Sequence, residues 1–231
     1  MERFRDERNP LSDFLIREFQ ALATTSISDA MGRTGCMRGI APLYRGAKVV
    51  GPALTVRCAP NDNLMCHYAV KVARPADVLV VDTGGHPWTS PWGELLSLSA
   101  MQRGIAGVII DGHSRDRIQI EALGFPVFSR GVNPQGTFKQ SPGRINCTIS
   151  CAGVAVEPGD LVVGDDDGVV VVPRQSVEEV LRGARQVLEK EQEVRRRIAG
   201  GEVMYDFLNL AQALPVGTSS TLNEREDDVT N

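Results

Sequence analysis

Residues 93–116, GELLSLSAMQRGIAGVIIDGHSRD, decide the fold, because a helix and a strand follow one another there between a carboxylate and an Arg-Asp pair. Leu95, Leu96, Leu98, Ala100 and Met101 make a mostly apolar segment closed by Gly104, which predicts a packed helix with a glycine stop. Val108, Ile109 and Ile110 then form a short apolar run ended by Asp111-Gly112, the pattern of a buried strand leaving through a turn. Glu94 therefore stands at a helix start. Arg115 and Asp116 follow the carboxyl end of the strand and open a further helix through Leu123, with Ser114 as its N-cap and Gly124 as its stop. Helix and strand in alternation give an α/β fold class, and open α/β sheets bind ligands in the crevice at their strand ends. Two acids and one permanent cation meet at that crevice.

Those residue types suit a defined chemistry. A hard divalent cation requires carboxylate oxygens, and an arginine offers a planar fork to a substrate carboxylate. Each residue taken singly also has a plainer role: an Arg-Asp neighbour pair suits a solvated helix start, and a first-turn glutamate complements the helix dipole.

Outward from this run the chain reads as one domain over residues 1–202, with a short helix and a flexible polar tail over 203–231. Residues 11–23 have the apolar spacing of an amphipathic helix, and Ser26 with Asp29 three positions on is a cap signal. A strand falls near 47–58. The Asn61-Asp62-Asn63 turn then leads into a short helix through Ala73, and Pro75-Ala76-Asp77 turns the chain into a strand at 78–81. The segment 86–94, HPWTSPWGE, forms a mouth loop whose Trp88 or Trp92 packs over a ligand or plugs the structure. Asp165-Asp166-Asp167-Gly168 lies between apolar runs, which makes it a hairpin turn; the ligand spacing of a calcium loop is absent. Val203 to Ala213 form the short helix, and the remainder lacks a core-forming pattern.

The helix at 177–199 carries separate evidence. Ser176 and Glu179 give a capping-box signal, Gly200-Gly201 a stop, and Val180, Ala184, Val187, Glu191, Val194 and Ile198 one face. Glu191 interrupts that apolar stripe. A carboxylate on a packing face is costly unless a cation or metal compensates it, so Glu191 meets a metal, pairs with an arginine at a subunit contact, or marks a shifted register.

Composition excludes several classes. A chain of 231 residues with net charge −4 lacks the basic surface that phosphate neutralisation demands, so no nucleic-acid partner is expected. No apolar stretch reaches bilayer length and the N-terminus is too charged for a signal peptide, which predicts a cytoplasmic protein with no membrane partner. Lysine is confined to Lys48, Lys71, Lys139 and Lys190, in polar surroundings, on a short helix or in a loop, so a Schiff-base mechanism has little support. Five cysteines without a CxxC pair predict no disulfide framework; Cys147 and Cys151 share a strand face as small core residues. His67, His86 and His113 lack zinc-ligand spacing, and His113 beside the Arg-Asp pair is a ligand contact or a loop histidine.

An acid, twenty intervening residues and Arg-Asp, at Glu94 and Arg115-Asp116, resemble the signature of the RraA-like family, which includes metal-dependent 4-hydroxy-4-methyl-2-oxoglutarate and 4-carboxy-4-hydroxy-2-oxoadipate aldolases. SISDAMGR at 26–33, GPALTVRC at 51–58, ADVLVVDTGG at 76–85, GFPVFSRGVNP at 124–134 and the block at 151–173 match in order, so the resemblance covers roughly residues 20–202. It implies an RraA-like swivelling β/β/α domain of layered sheets with flanking helices, assembled as a homotrimer or homohexamer. It further implies a divalent-metal-dependent pyruvate aldolase acting on a small 2-oxo acid, with oxaloacetate decarboxylase activity. In that reading Asp116 holds Mg2+ or Mn2+, and Glu191 of a neighbouring subunit joins the outer shell. Arg115 grips the substrate, the Leu95 and Leu96 amides beside Gly93 bind its carboxylate, and Glu94 is the base, where the family more often has aspartate. The alternative within the same family is a non-catalytic regulator that docks on ribonuclease E.

Overall fold

The computed structural model describes Arg8 and residues 10–214. Four parallel strands carry the sheet: β2 (Val49–Arg57), β3 (Val78–Asp82), β4 (Gly107–Ser114) and β5 (Val127–Val132). Helices α3 (Leu64–Val72), α4 (Glu94–Gln102) and α5 (Arg117–Leu123) connect them in turn. The chain enters through α1 (Asp13–Gln20), α2 (Thr24–Ala30) and the short β1 (Ala41–Pro42), which lies antiparallel to β5. Beyond the parallel strands, β9 (Leu161–Asp165) runs antiparallel to β2, and β10 (Gly168–Val172) antiparallel to β9. The strand order β1-β5-β4-β3-β2-β9-β10 nearly closes on itself, because Cys36 bridges Val170 and the Met37 amide donates to the Val169 carbonyl just before β1 begins. Strand β6 (Arg144–Ile145) pairs with β2, and β7 (Ile149–Cys151) and β8 (Val154–Val156) form a separate ribbon.

The period of two in the strands explains the two cores. Leu79 and Val81 of β3, with Leu54, Val108 and Ile110, face the helices and pack on Ala69, Ala100 and Ile120. Val78 and Val80, with Ala53, Ile109 and Phe128, face the opposite side against Val162, Val171, Ile149 and Cys151. A strand covered on both faces favours a continuous apolar run, and Val78–Val81 of β3 are all buried, with Asp82 closing the strand. Burial pushes the Cys151 thiol far up, as befits a core residue, while Cys147 is half-buried against the same core.

Helix α4 ends as its sequence predicts. The Gly104 amide donates to the Met101 carbonyl and the Ile105 amide to the Ala100 carbonyl, a Schellman stop with Gly104 at φ 71°. Gly124 stops α5 in the same left-handed conformation, at φ 67°. The Asp165–Gly168 segment is the β9–β10 hairpin.

Four boundaries differ from expectation. Strand β4 does not leave at Asp111-Gly112 but continues to Ser114: Asp111 is a satisfied buried carboxylate, paired with Arg130 and accepting the Ala152 amide at 2.7 Å. Ser114 is therefore a buried strand residue bonded to the Trp92 carbonyl, and Asp116 takes the N-cap position of α5. Ser26 lies buried inside α2; Asp165 ties down that helix start, accepting from the Thr24 amide at 2.8 Å and from its hydroxyl at 2.6 Å. The leading helix is confined to α1, capped by Ser12.

Helix α6 (Val177–Ala199) is entered through a 3-10 turn, Arg174–Ser176, and the reciprocal bonds of a capping box at Ser176 and Glu179 are not made. The chain divides into two compact units between Val187 and Leu188, inside this helix. In the first unit Val180 and Ala184 of the stripe are buried. In the second, Glu191 is half-buried and pairs with Arg195 at 2.7 Å, Ile198 is exposed, and Arg197 binds Glu202 and lies 4.1 Å over the Phe207 ring of α7 (Met204–Phe207). The expected short helix is thus α7 followed by a 3-10 turn, Leu210–Ala213, and the polar tail beyond lies outside the described residues. Among the described residues no helix is long and apolar enough to cross a membrane.

Candidate active site

Three segments meet where β4 ends. The Trp92–Ser114 bridge lays the residues before α4 alongside the end of β4, and the Arg115 amide donates to the Trp92 carbonyl at 3.1 Å. Asp116 then adopts a left-handed backbone at φ 61° and ψ 40°, unusual for a residue with a side chain and found disproportionately at functional sites. The turn aims its carboxylate back at α4: Oδ2 accepts the Glu94 amide at 3.0 Å and lies 3.5 Å from Arg115 Nε. Gly93 lets these groups approach, since a Cβ there would collide with the Asp116 carboxylate and press on the Arg115 side chain. Gly136 does the same for the other end of Arg115, where a Cβ would lie 2.8 Å from Nη1.

The cavity beside this pair has a volume of about 150 Å³ and is lined by Gly93, Leu95, Leu96, Arg115 and Asp116 from the first wall. In the first turn of α4, Glu94 donates its amide to Asp116, whereas the Leu95 and Leu96 amides have no carbonyl four positions back within the helix. Free amides at a helix N-terminus beside a guanidinium favour an anion such as a carboxylate. The Glu94 side chain is half-buried and does not line the cavity; its amide, not its carboxylate, makes the contact with Asp116.

The remaining lining includes Asn63, His67, Thr137 and Lys139, none of which has a role in this site legible in the sequence: Asn63 reads there as part of a turn, and His67 and Lys139 have neither the spacing of a zinc ligand nor the setting of a Schiff-base lysine. Asp62 assembles it. Its buried carboxylate accepts the amides of Leu64 at 2.8 Å, Gln140 at 2.7 Å and Ser141 at 2.9 Å, fastening the start of α3 to the 137–141 loop. Burial pushes the Asp62 carboxyl up, but these amide donors outweigh it and hold it below the ordinary carboxylate value. His67 is held below the usual imidazole value by partial burial first and by Lys139 second. His113 does not line the cavity: it packs against Gly131 of β5, with Nδ1 buried. Trp92 is fully buried, stacked on Phe125 and donating to Ser97 Oγ at 2.9 Å, so it is a structural plug, while Trp88 is exposed.

Among the described residues no three His, Cys, Asp or Glu side chains converge as a ligand cage. Asp116 Oδ1, however, has no hydrogen-bond partner among the described residues, and its side chain is partly exposed. A lone hard oxygen donor fits a magnesium-like ion, which usually keeps several waters and takes one or two carboxylates.

A nearly closed mixed sheet with flanking helices places the chain among mixed α/β domains. The particular family follows from comparison with known proteins. The RraA-like family profile, described as Aldolase/RraA, matches residues 24–171, and the chain belongs to that family. A Halalkalibacterium halodurans protein named "Putative 4-hydroxy-4-methyl-2-oxoglutarate aldolase" is 42% identical over 190 residues, covering 82% of this chain and 90% of that protein. The crystal structure of an uncharacterized Pseudomonas syringae pv. tomato protein superposes with a TM-score of 0.77 at 30% identity, covering 86% of this chain and 98% of the other. RraAS2 of Streptomyces coelicolor, described as an unusual member of the RNase ES inhibitor RraA protein family, gives a TM-score of 0.73 at 30% identity, covering 81% and 98%.

Proposed function

We propose that this chain is a lyase that cleaves 4-hydroxy-4-methyl-2-oxoglutarate, or a related 4-hydroxy-2-oxo acid, by a retro-aldol reaction that releases pyruvate. The observation that carries this reading is the juxtaposition of Arg115, Asp116 and the free Leu95 and Leu96 amides on one wall of one cavity. The named relative from Halalkalibacterium supports the same reaction class.

Arg115 and the two amides bind the substrate's 2-oxo-acid end, which fixes the carbon skeleton and directs C4 into the rest of the cavity. Asp116 would hold Mg2+ or Mn2+, with Glu191 of a neighbouring subunit in the outer shell of a homotrimeric or hexameric assembly. When bound, such an ion supplies a positive charge that stabilises negative charge developing on the 2-oxo oxygen, an effect of several kcal/mol in sites of this kind. Glu94 takes the proton of the 4-hydroxyl through an intervening water, because its carboxylate stands outside the cavity lining. The C3–C4 bond then breaks, C4 becomes a carbonyl, and the electron pair passes into the pyruvoyl fragment as its enolate. The proton returns to C3 by the same route. Positioned proton transfer of this sort contributes roughly 100- to 10,000-fold. Oxaloacetate decarboxylation passes through the same enolate without a hydroxyl to deprotonate, and belongs to the same site.

The test is pyruvate release from 4-hydroxy-4-methyl-2-oxoglutarate and from oxaloacetate, with Mg2+ or with EDTA. Metal-dependent release supports the reading; no turnover of either substrate contradicts it.

A further inference from the structure

We propose that Lys139 is a specificity residue of this cavity: its ammonium takes a second, distal carboxylate, so the site selects dicarboxylic 2-oxo acids over 2-oxo acids with an uncharged tail. The inference rests on the retro-aldol reading above, which leaves the substrate beyond C4 without an assigned partner. Of the described residues lining the cavity, Arg115 and Lys139 carry a positive charge at neutral pH and Asp116 a negative one. Asp116 lies 3.5 Å from Arg115 Nε, whereas Lys139 has no carboxylate partner among the described residues. Lys139 is exposed, so a ligand in the cavity can reach it.

One loop brings the two cations together. The Arg115 guanidinium reaches Gly136, where a Cβ would lie 2.8 Å from Nη1, and Lys139 follows three positions later in the same segment. Both neighbours of Lys139 are tied down: the Phe138 amide donates to the Asn61 carbonyl at 2.9 Å, and the Gln140 amide to the Asp62 carboxylate at 2.7 Å. His67 lines the same cavity and is held below the usual imidazole value by partial burial first and by Lys139 second, so the lysine's charge is felt on the His67 side. The imidazole is then largely uncharged at neutral pH, and Lys139 supplies the charge there.

A second cation selects the ligand by charge. Arg115 and the Leu95 and Leu96 amides take the 2-oxo-acid end, which leaves Lys139 for a negative charge carried beyond C4. In 4-hydroxy-4-methyl-2-oxoglutarate that charge is the C5 carboxylate. An ammonium is a compact charge with three donors and no acceptor, which suits a carboxylate. The C5 carboxylate keeps its charge while the C3–C4 bond breaks and C4 becomes a carbonyl, and it leaves as the carboxylate of a second pyruvate. Lys139 therefore holds ground state and transition state alike, so its effect falls on KM and not on kcat. A 2-oxo acid that ends in a methyl group forfeits the contact.

The experiment measures dissociation constants for 2-oxoglutarate and 2-oxopentanoate by NMR titration with Mg2+ present, in wild type, Lys139→Met and Lys139→Arg. The two acids share one chain length, lack the 4-hydroxyl needed for cleavage, and differ in a distal carboxylate or methyl group. Wild type is expected to bind 2-oxoglutarate about tenfold more tightly, the gain of one charged hydrogen bond. Lys139→Met should erase that preference by weakening 2-oxoglutarate alone, and Lys139→Arg should keep it. Lys139→Met should also raise KM for 4-hydroxy-4-methyl-2-oxoglutarate about tenfold, with kcat held within about twofold. Equal affinity for the two acids in wild type, a preference unmoved within about twofold in Lys139→Met, or binding of neither acid overturns the subsite, whether or not pyruvate is released. A wild type that prefers 2-oxoglutarate yet releases no pyruvate overturns the retro-aldol reading and leaves the carboxylate subsite standing.

Discussion

Asp116 accepts the backbone amide of Glu94 at 3.0 Å, so the residue that follows β4 caps the helix that precedes it. This single bond converts two sequence-distant acids into one structural unit. It brings the Asp116 carboxylate, the Arg115 guanidinium and the first turn of α4 onto one wall of the cavity.

Arg115→Ala is expected to lower kcat/KM for pyruvate release by roughly 100- to 1,000-fold, the usual loss when a fixed charge stabiliser is removed. Because the side chain is partly exposed and its ion pair with Asp116 lies at the surface, stability should change by no more than about 1 kcal/mol. Steady-state kinetics and thermal unfolding of the same preparation check both halves.

Gly93→Ala places a methyl group against the Asp116 carboxylate and the Arg115 side chain. The expected cost is about 1–3 kcal/mol of stability, the range for forced overpacking, together with a large loss of turnover. A variant with wild-type activity and melting temperature contradicts the described approach of these groups.

Asp62→Ala leaves the amides of Leu64, Gln140 and Ser141 without their acceptor, at a cost of about 1–3 kcal/mol at neutral pH. The folded-state pKa of Asp62 lies below its ordinary value of 3.8, so its contribution is fully present above that value and is lost as pH falls through the lower folded value. The stability gap between wild type and Asp62→Ala should therefore be constant from pH 5 to pH 7 and narrow below about pH 4. Denaturant unfolding at pH 7 and pH 3 measures it.

Lys139→Ala removes a positive charge beside His67, whose pKa is held below its ordinary 6.5 by burial and by that lysine. The imidazole pKa should rise toward 6.5 in the variant, as read by NMR titration of the ring protons. In the wild type, the folded protein binds fewer protons at His67 than the unfolded chain does as pH falls below the ordinary value. This histidine therefore lowers stability on the acid side, and Lys139→Ala should reduce that loss.

Local signals made much of this legible in the sequence. Gly104 and Gly124 terminate α4 and α5 where expected, and the Asp165–Gly168 turn joins β9 to β10, because stops and hairpins depend on residues a few positions apart. Arg115 and Asp116 are neighbours in sequence, and both line the cavity. The misread boundaries share a cause. Asp111-Gly112 looks like a turn, yet β4 runs through it, since Arg130 and the Ala152 amide satisfy the buried carboxylate from distant segments. Ser26 looks like a cap, but the acceptor at the start of α2 is Asp165, 141 positions away. The rest of the cavity lining was hidden for the same reason. Asn63 and Thr137 line one cavity because Asp62 binds the Gln140 amide, 78 positions along the chain, and the Asn63 amide binds the Phe138 carbonyl; no periodicity or spacing reports such contacts.

Carbon-carbon cleavage is the activity proposed for the cavity carrying Arg115, Asp116 and the α4 N-terminus. Its most direct test is pyruvate release from 4-hydroxy-4-methyl-2-oxoglutarate by the purified full chain, with Mg2+, with EDTA, and with Mg2+ restored after EDTA. Turnover with the metal, its loss on chelation and its return on re-addition are the expected results. Absence of pyruvate release under all three conditions, from this substrate and from oxaloacetate, would contradict the proposed cleavage.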